Sequence, residues 1–359
     1  MISSYLLSIS FISIALIFSY FAGLLSINLI QRYSSNNLSN INFPIIPLGF
    51  GIISLLSNYL YFNLNISSKI ILWLILIVVI LSFVLNYFFF KFKKIELSEI
   101  ILSFIISSIL IIFLLYKGEQ FYIFRGNHWD SINYLSVALT IKDFSYSEIF
   151  KIREANIYPI ESYIYTGDII YRPLVKLILS FFLDFQLKNY FFQYWIFKIF
   201  LICNIFISCR YFLKNFNIKY SLIYSFVFIF SFWILYIIEI DALSHLASFS
   251  FFILGISLVI NNEKNKIFLD RNNEILFLFS SVLVFLFYSE IFVIYTYLIL
   301  IYLFFKLGIK KTFLEIYSKK LKLILVFLIL TIPAYQITYN VIYLNLIGGI
   351  KNSNVDWWG

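Results

Sequence analysis

Runs of about 20 apolar residues recur along this chain, and that recurrence constrains the fold more than any motif does. They lie at roughly 4–30, 44–62, 70–90 and 100–116, then at 190–212, 221–238, 242–260, 275–305 and 323–346. A helix of about 20 residues crosses roughly 30 Å of hydrocarbon. A soluble domain of 359 residues could not hide a chain that is 62% hydrophobic and only 13% charged, with a mean hydropathy of +0.92. A β-barrel would alternate apolar and polar residues, and that alternation is absent. The chain therefore reads as all-α: a polytopic transmembrane helical bundle whose first partner is the lipid bilayer.

The net charge of +9 is not a nucleic-acid signature. Lys and Arg sit in short loops between apolar runs, where they set orientation. Cys203 and Cys209 share one apolar run, which argues against a disulfide framework. The first run lacks a basic leader and a small-residue cleavage site, so it reads as a retained helix. Ile, Phe, Tyr, Asn and Lys are abundant together while Ala, Gly and Pro are scarce, as an AT-rich genome would produce. The aromatic fraction of 22% is therefore not by itself a sign of ligand stacking.

Loop charge predicts the topology. Lys91, Lys93 and Lys94 fall in the cytoplasm, as do Arg210, Lys214 and Lys219, then Lys264, Lys266 and Arg271, and the basic segment 306–322. A single crossing over 275–305 would put its two basic flanks on opposite sides. A hairpin turning near Tyr288-Ser289-Glu290 resolves the conflict. The rival solution makes 174–185 a full crossing and 275–305 one long tilted helix. The hairpin gives about ten crossings with both termini outside. Three regions result: a four-helix membrane region (1–116), an extracytoplasmic loop with interfacial helices (117–188), and a C-terminal membrane region (189–359). The chain stops soon after its last run, so that region is expected to be minimal or a fragment.

The large loop is the chain's one long polar island. It contains Asn127-His128-Trp129-Asp130-Ser131-Ile132-Asn133-Tyr134. Ile132, Leu135, Ala138, Leu139 and Ile141 form a helical stripe after Asp130. Ser145-Tyr146-Ser147-Glu148 fits a capping box opening a second helix through Glu154. Both helices are short and half apolar, so they are expected on the membrane surface. Segment 174–185 is expected to be interfacial or partly inserted.

Chemistry needs ionisable groups near water, and the same topology gathers Asp130, Glu239, Asp241, His245 and Glu290 at one face. Asp130 suits a general base or a metal ligand, and its plainer role is a helix N-cap. His128 could hold a phosphate or assist the base, or simply sit at the interface beside Trp129. Asp241 and His245 are four apart, so a helix there would place both on one face. Glu290 interrupts the longest apolar stretch, and a carboxylate there is costly enough to suggest function. Arg172 could grip a phosphate through paired donors, or snorkel to the headgroups. Lys198 is a deeper phosphate candidate. The P-loop, HExxH, GxSxG and paired CxxC signatures are all absent.

His128-Trp129-Asp130-Ser131-Ile132-Asn133-Tyr134, the later Tyr171-Arg172-Pro173-Leu174-Val175-Lys176 stretch and Tyr288-Ser289-Glu290 together resemble the C-type (GT-C) integral-membrane glycosyltransferases. The likeness covers roughly 125–305. It departs from the usual pattern in having four apolar runs before the acidic loop instead of one. The resemblance implies a polyprenyl-phosphate-linked sugar as donor and a glycan, lipid or protein as acceptor, at the outer side of a bacterial inner membrane. It implies Asp130 as catalytic base and Glu290 as a further catalytic-site residue that orients sugar hydroxyls or a divalent ion. His128, Arg172, Tyr134, Glu239, Asp241 and His245 would bind substrate. The resemblance fixes no cofactor, and Glu290, Glu239 or Asp241 could hold a divalent cation.

Two rivals remain. O-antigen polymerase-like or ligase-like enzymes use paired arginines in a large outer loop, and Arg125, Arg153 and Arg172 fit that pattern. A lipid or solute transporter would show inverted repeats and helices broken at mid-membrane. With 5 Pro and 11 Gly the sequence offers few such breaks.

Overall fold

A computed structural model describes residues 2–33, 43–88, 97–116, 129–154, 173–184, 190–239, 242–261, 271–312, 322 and 324–331. All regular structure among them is helical. The elements are α1 (Ile2–Tyr33), α2 (Ile45–Asn58, continued by a π-turn, Tyr59–Asn63), α3 (Ser68–Phe88), α4 (Leu97–Tyr116), α5 (Trp129–Asp143) and α6 (Tyr146–Glu154). Then come α7 (Pro173–Leu183), α8 (Tyr190–Asn215), α9 (Ser221–Ile229), α10 (Phe232–Glu239), α11 (Leu243–Asn261), α12 (Arg271–Phe287) and α13 (Ser289–Leu307).

The expected count of ten crossings is overturned. Among the described residues six helices are long and apolar enough to cross a membrane: Ser8–Leu29, Ile45–Asn63, Ser68–Leu85, Phe192–Asn215, Leu243–Ile260 and Ser289–Leu307. The bent pair Ser221–Ile229 and Phe232–Ile238 makes a seventh if it is one span. Hydropathy had assigned a crossing to every apolar run, but Ser98–Ile112 and Asn273–Phe287 are shorter apolar helices. Of the last expected run, only 324–331 is described.

The turn at Tyr288 is present. Tyr288 is extended (φ −158°, ψ 92°) and separates α12 from α13. Ser281 Oγ lies 3.1 Å from the Tyr295 hydroxyl across 14 residues of sequence. A straight helix would hold them about 21 Å apart. The two helices therefore fold back on each other around the buried Tyr295 ring. A Cβ at Gly255 on α11 would overlap that ring's hydroxyl.

The centre of the bundle is α8, against which α4, α7, α9 and α11 pack. Phe50 of α2 ties the centre together, with ring centroids 5.2 Å from Phe200, 5.8 Å from Phe251 and 5.6 Å from Phe287. The α1–α2 seam is closer still. A Cβ at Gly49 would overlap the Ser19 carbonyl, and one at Gly23 would overlap the Ile45 carbonyl. Such small-residue contacts let helices approach where lipid supplies no hydrophobic drive. Outward faces stay apolar, as with Trp73 at 66% and Phe305 at 89% exposure.

The short helix α7 is enclosed by protein. Every one of its residues is buried, and α2, α3, α5, α8, α11 and α12 enclose it. An 11-residue apolar helix is too short to span alone but can fill the inside of a bundle. Helix α5 packs on this plug, and its Leu135, Ala138 and Ile141 are buried. The turn between α2 and α3 clamps the far end of α5 and the start of α6. Tyr61 donates to the Phe144 carbonyl at 3.1 Å, Ser68 to the Lys142 carbonyl at 3.2 Å, and Asn65 bonds Ser147 twice. Helix α6 opens as its capping residues predict, Glu148 accepting from Ser145 N and Oγ at 2.7 Å each.

Candidate functional site

Three segments far apart in sequence meet at the end of the bundle that carries α5. Asp130 is the second residue of α5, inside its first turn. Position 134 lies one turn further along the same helix face. Tyr134 is 4% exposed, and its hydroxyl shares a 2.8 Å hydrogen bond with Ser244 Oγ at the start of α11. The next residue, His245, places its ring 4.2 Å from the Tyr288 ring at the α12–α13 break. Two residues later Glu290 sits exposed in the first turn of α13, accepting a 3.1 Å bond from Ser289 Oγ.

Two buried lysines border this end. Lys176 of α7 lies over the Tyr134 ring at 5.5 Å. Lys198 of α8 donates to the Ile238 carbonyl at 3.1 Å and stands 4.0 Å over the Trp195 ring. Carbonyls at a helix C-terminus carry partial negative charge, so a cation is well placed there. Lys198 thereby secures the end of α10, where Ala242 N also returns to the Ile237 carbonyl at 3.1 Å. Glu239 is the last residue of α10. The side chains of Asp130 and Glu239, and all of His128, Arg172 and Asp241, lie outside the described residues.

One acid was missed by sequence reasoning. Asp184 directly follows α7, and its Oδ2 is buried with no hydrogen-bond partner. Burial raises its pKa, Lys142 and Lys69 pull it down, and Asp143 raises it further. An acid directly after an apolar helix too short to span was the available signal. Glu148 shows the opposite shift, its pKa lowered first by the Ser145 hydroxyl and then by the Ser145 amide.

A recess of about 570 Å³ opens between α1, α2, α3, α7 and α8. Its walls include Phe11, Phe18, Phe50, Ile75, Phe181 and Phe182. Helix α7 thus faces two environments, with Lys176 near Tyr134 and Ile178, Phe181 and Phe182 in the apolar recess. Among the described residues no three His, Cys, Asp or Glu side chains group as metal ligands.

The chain matches no protein-family model, no curated protein and no solved structure. The resemblance to GT-C glycosyltransferases therefore rests on the quoted motifs alone. What the helices themselves establish is a polytopic, multi-pass membrane protein with an all-helical described structure.

Proposed function

We propose that this protein is a membrane glycosyltransferase that moves a sugar from a polyprenyl-phosphate donor to an extracytoplasmic acceptor. The observation that carries the reading is the double role of α7. An amphipathic lipid phosphate needs a hydrocarbon-lined recess beside a cationic, hydroxyl-bearing site, and α7 is a wall of both.

In this reading Asp130 takes the proton from the acceptor hydroxyl as that oxygen attacks the anomeric carbon. The bond from that carbon to the phosphate oxygen breaks, and polyprenyl phosphate leaves with the electron pair. Arg172, His128 and Lys176 hold the departing phosphate. Tyr134, His245, Glu239 and Asp241 bind the sugar and acceptor, with Glu290 as a second acid at the rim.

The test is transfer of tritiated sugar from a panel of polyprenyl-phosphate hexoses and pentoses in membranes holding the full chain. Loss of transfer in Asp130→Asn, with normal protein level, is expected. Full transfer by that variant would end the proposal. Loss in Arg153→Ala alongside a silent Asp130→Asn would favour the polymerase-like or ligase-like enzyme.

A second reading, transport, draws on one observation. Helices α9 and α10 bend by 42° at Phe230 and Ser231, a broken helix of the kind that lines transport pathways. Flux of labelled lipid across proteoliposomes, unaffected by Asp130→Asn, would support it.

A further inference from the structure

At the other end of α8 the chain builds a second polar site. Arg210 lies 12 residues beyond Lys198 on α8, about 18 Å further along the axis. A recess of about 420 Å³ opens there, lined by Arg210, Tyr211 and Lys214 of α8, by Glu99 and Leu102 of α4, and by Pro44 before α2. Arg210 and Lys214 are four residues apart and so share one face of the helix.

The charges in this recess are unevenly engaged. Glu99 is 8% exposed, and its carboxylate accepts from the amides of Ile45 at 3.1 Å and Ile46 at 3.4 Å. It is thus committed to the N-terminus of α2, whose dipole offsets its charge. The Arg210 Nε is buried with no hydrogen-bond partner. Among the described residues the ion pair is Lys69–Asp143, on other helices, so neither Arg210 nor Lys214 is matched there. A guanidinium held partly out of water is costly unless an anion meets it, and its fork suits phosphate oxygens.

We infer that the recess between α2, α4 and α8 binds a phosphate-bearing anion through Arg210 and Lys214. Basic recesses between membrane helices take anionic lipid headgroups, and a free phosphate has the same chemistry. This site is independent of the transfer reaction proposed above.

The experiment places the full chain in nanodiscs of phosphatidylcholine alone, or of phosphatidylcholine with phosphatidylglycerol. Inorganic phosphate is titrated into the first preparation. The unfolding temperature is read for the wild type, Arg210→Gln, Lys214→Gln, the double variant and Lys219→Gln. The wild type is expected to be stabilised by at least one anion. Arg210→Gln should bind it at least about tenfold more weakly, as expected for losing hydrogen bonds between charged groups. Lys219→Gln, an exposed cation outside the recess, should bind as the wild type does. A response to phosphatidylglycerol alone identifies a lipid headgroup, and a response to inorganic phosphate identifies a soluble ligand. Should Arg210→Gln fail to fold, Lys214→Gln carries the test, because Lys214 is exposed. No anion response in the wild type, or an equal response in the variants that fold, overturns the inference.

Discussion

Along α8, Lys198 near one end donates to the Ile238 carbonyl at 3.1 Å and stands over the Trp195 ring, whereas Arg210 near the other has a buried Nε with no hydrogen-bond partner. Both cations sit on one helix among apolar neighbours. The first holds a helix end in place and borders a cluster of hydroxyl, imidazole and carboxylate groups. The second faces a recess whose one acid is already spent on the α2 amides. A buried cation that holds a carbonyl is structural, while a half-buried guanidinium facing a recess is open to an external anion.

Breaking the first end at its chemistry should give the largest effect. Asp130→Asn is expected to lower sugar transfer by about 10²- to 10⁴-fold, the usual contribution of a positioned base, measured as initial rate in membranes. Its anion-dependent unfolding temperature should not change, because the recess at Arg210 lies elsewhere.

The seam of α1 and α2 runs between the two ends, so damage there should reach both. In Gly49→Ala the new Cβ meets the Ser19 backbone, which cannot rotate away. A loss of about 1–3 kcal/mol is expected, read as a lower unfolding temperature in nanodiscs. An unchanged temperature would show that the seam is looser than its geometry.

A smaller effect sharpens the first end alone. Tyr134→Phe removes the bond to Ser244 Oγ and leaves that buried hydroxyl without its partner. About 1 kcal/mol should be lost, and transfer should fall more than stability if Tyr134 also binds substrate. Equal stability in the two proteins would show that Ser244 finds another hydrogen-bond partner.

The smallest effects are in pH, and they have opposite signs. Glu148 has a lowered pKa, so its cap is present above the ordinary glutamate range and is lost as pH falls through the lowered value. The protection factors of the amides at the start of α6, corrected for the intrinsic pH dependence of exchange, should fall on acidification, and Glu148→Gln should abolish that dependence. Asp184 has a raised pKa, so its contribution is present at low pH and is lost as pH rises through the raised value. Asp184→Asn should remove that decline.

Some of this was legible in the sequence because it depends on neighbours along the chain. Residues Ser145 and Glu148 carry their cap within four positions, and α6 begins there. The turn at Tyr288 followed from loop charges, since two basic flanks cannot share a side across one span. The number of crossings was not legible, because hydropathy counts every apolar run as a span, whereas Ser98–Ile112 and Asn273–Phe287 fall among the shorter apolar helices. Burial of α7 escaped because hydropathy does not record whether lipid or protein covers a segment, and Asp184 escaped with it.

By itself the sequence determined the class of fold, since backbone groups in lipid must be satisfied within helices and about 20 apolar residues suffice to cross. It also determined which residues carry charge, and therefore where chemistry could occur. Only the tertiary structure decided that Tyr134 meets Ser244 across 110 residues, that His245 meets Tyr288, and that Arg210 faces a recess instead of a carboxylate. Those meetings depend on how helices pack, and packing is chosen by the fit of whole surfaces and not by any short stretch of chain.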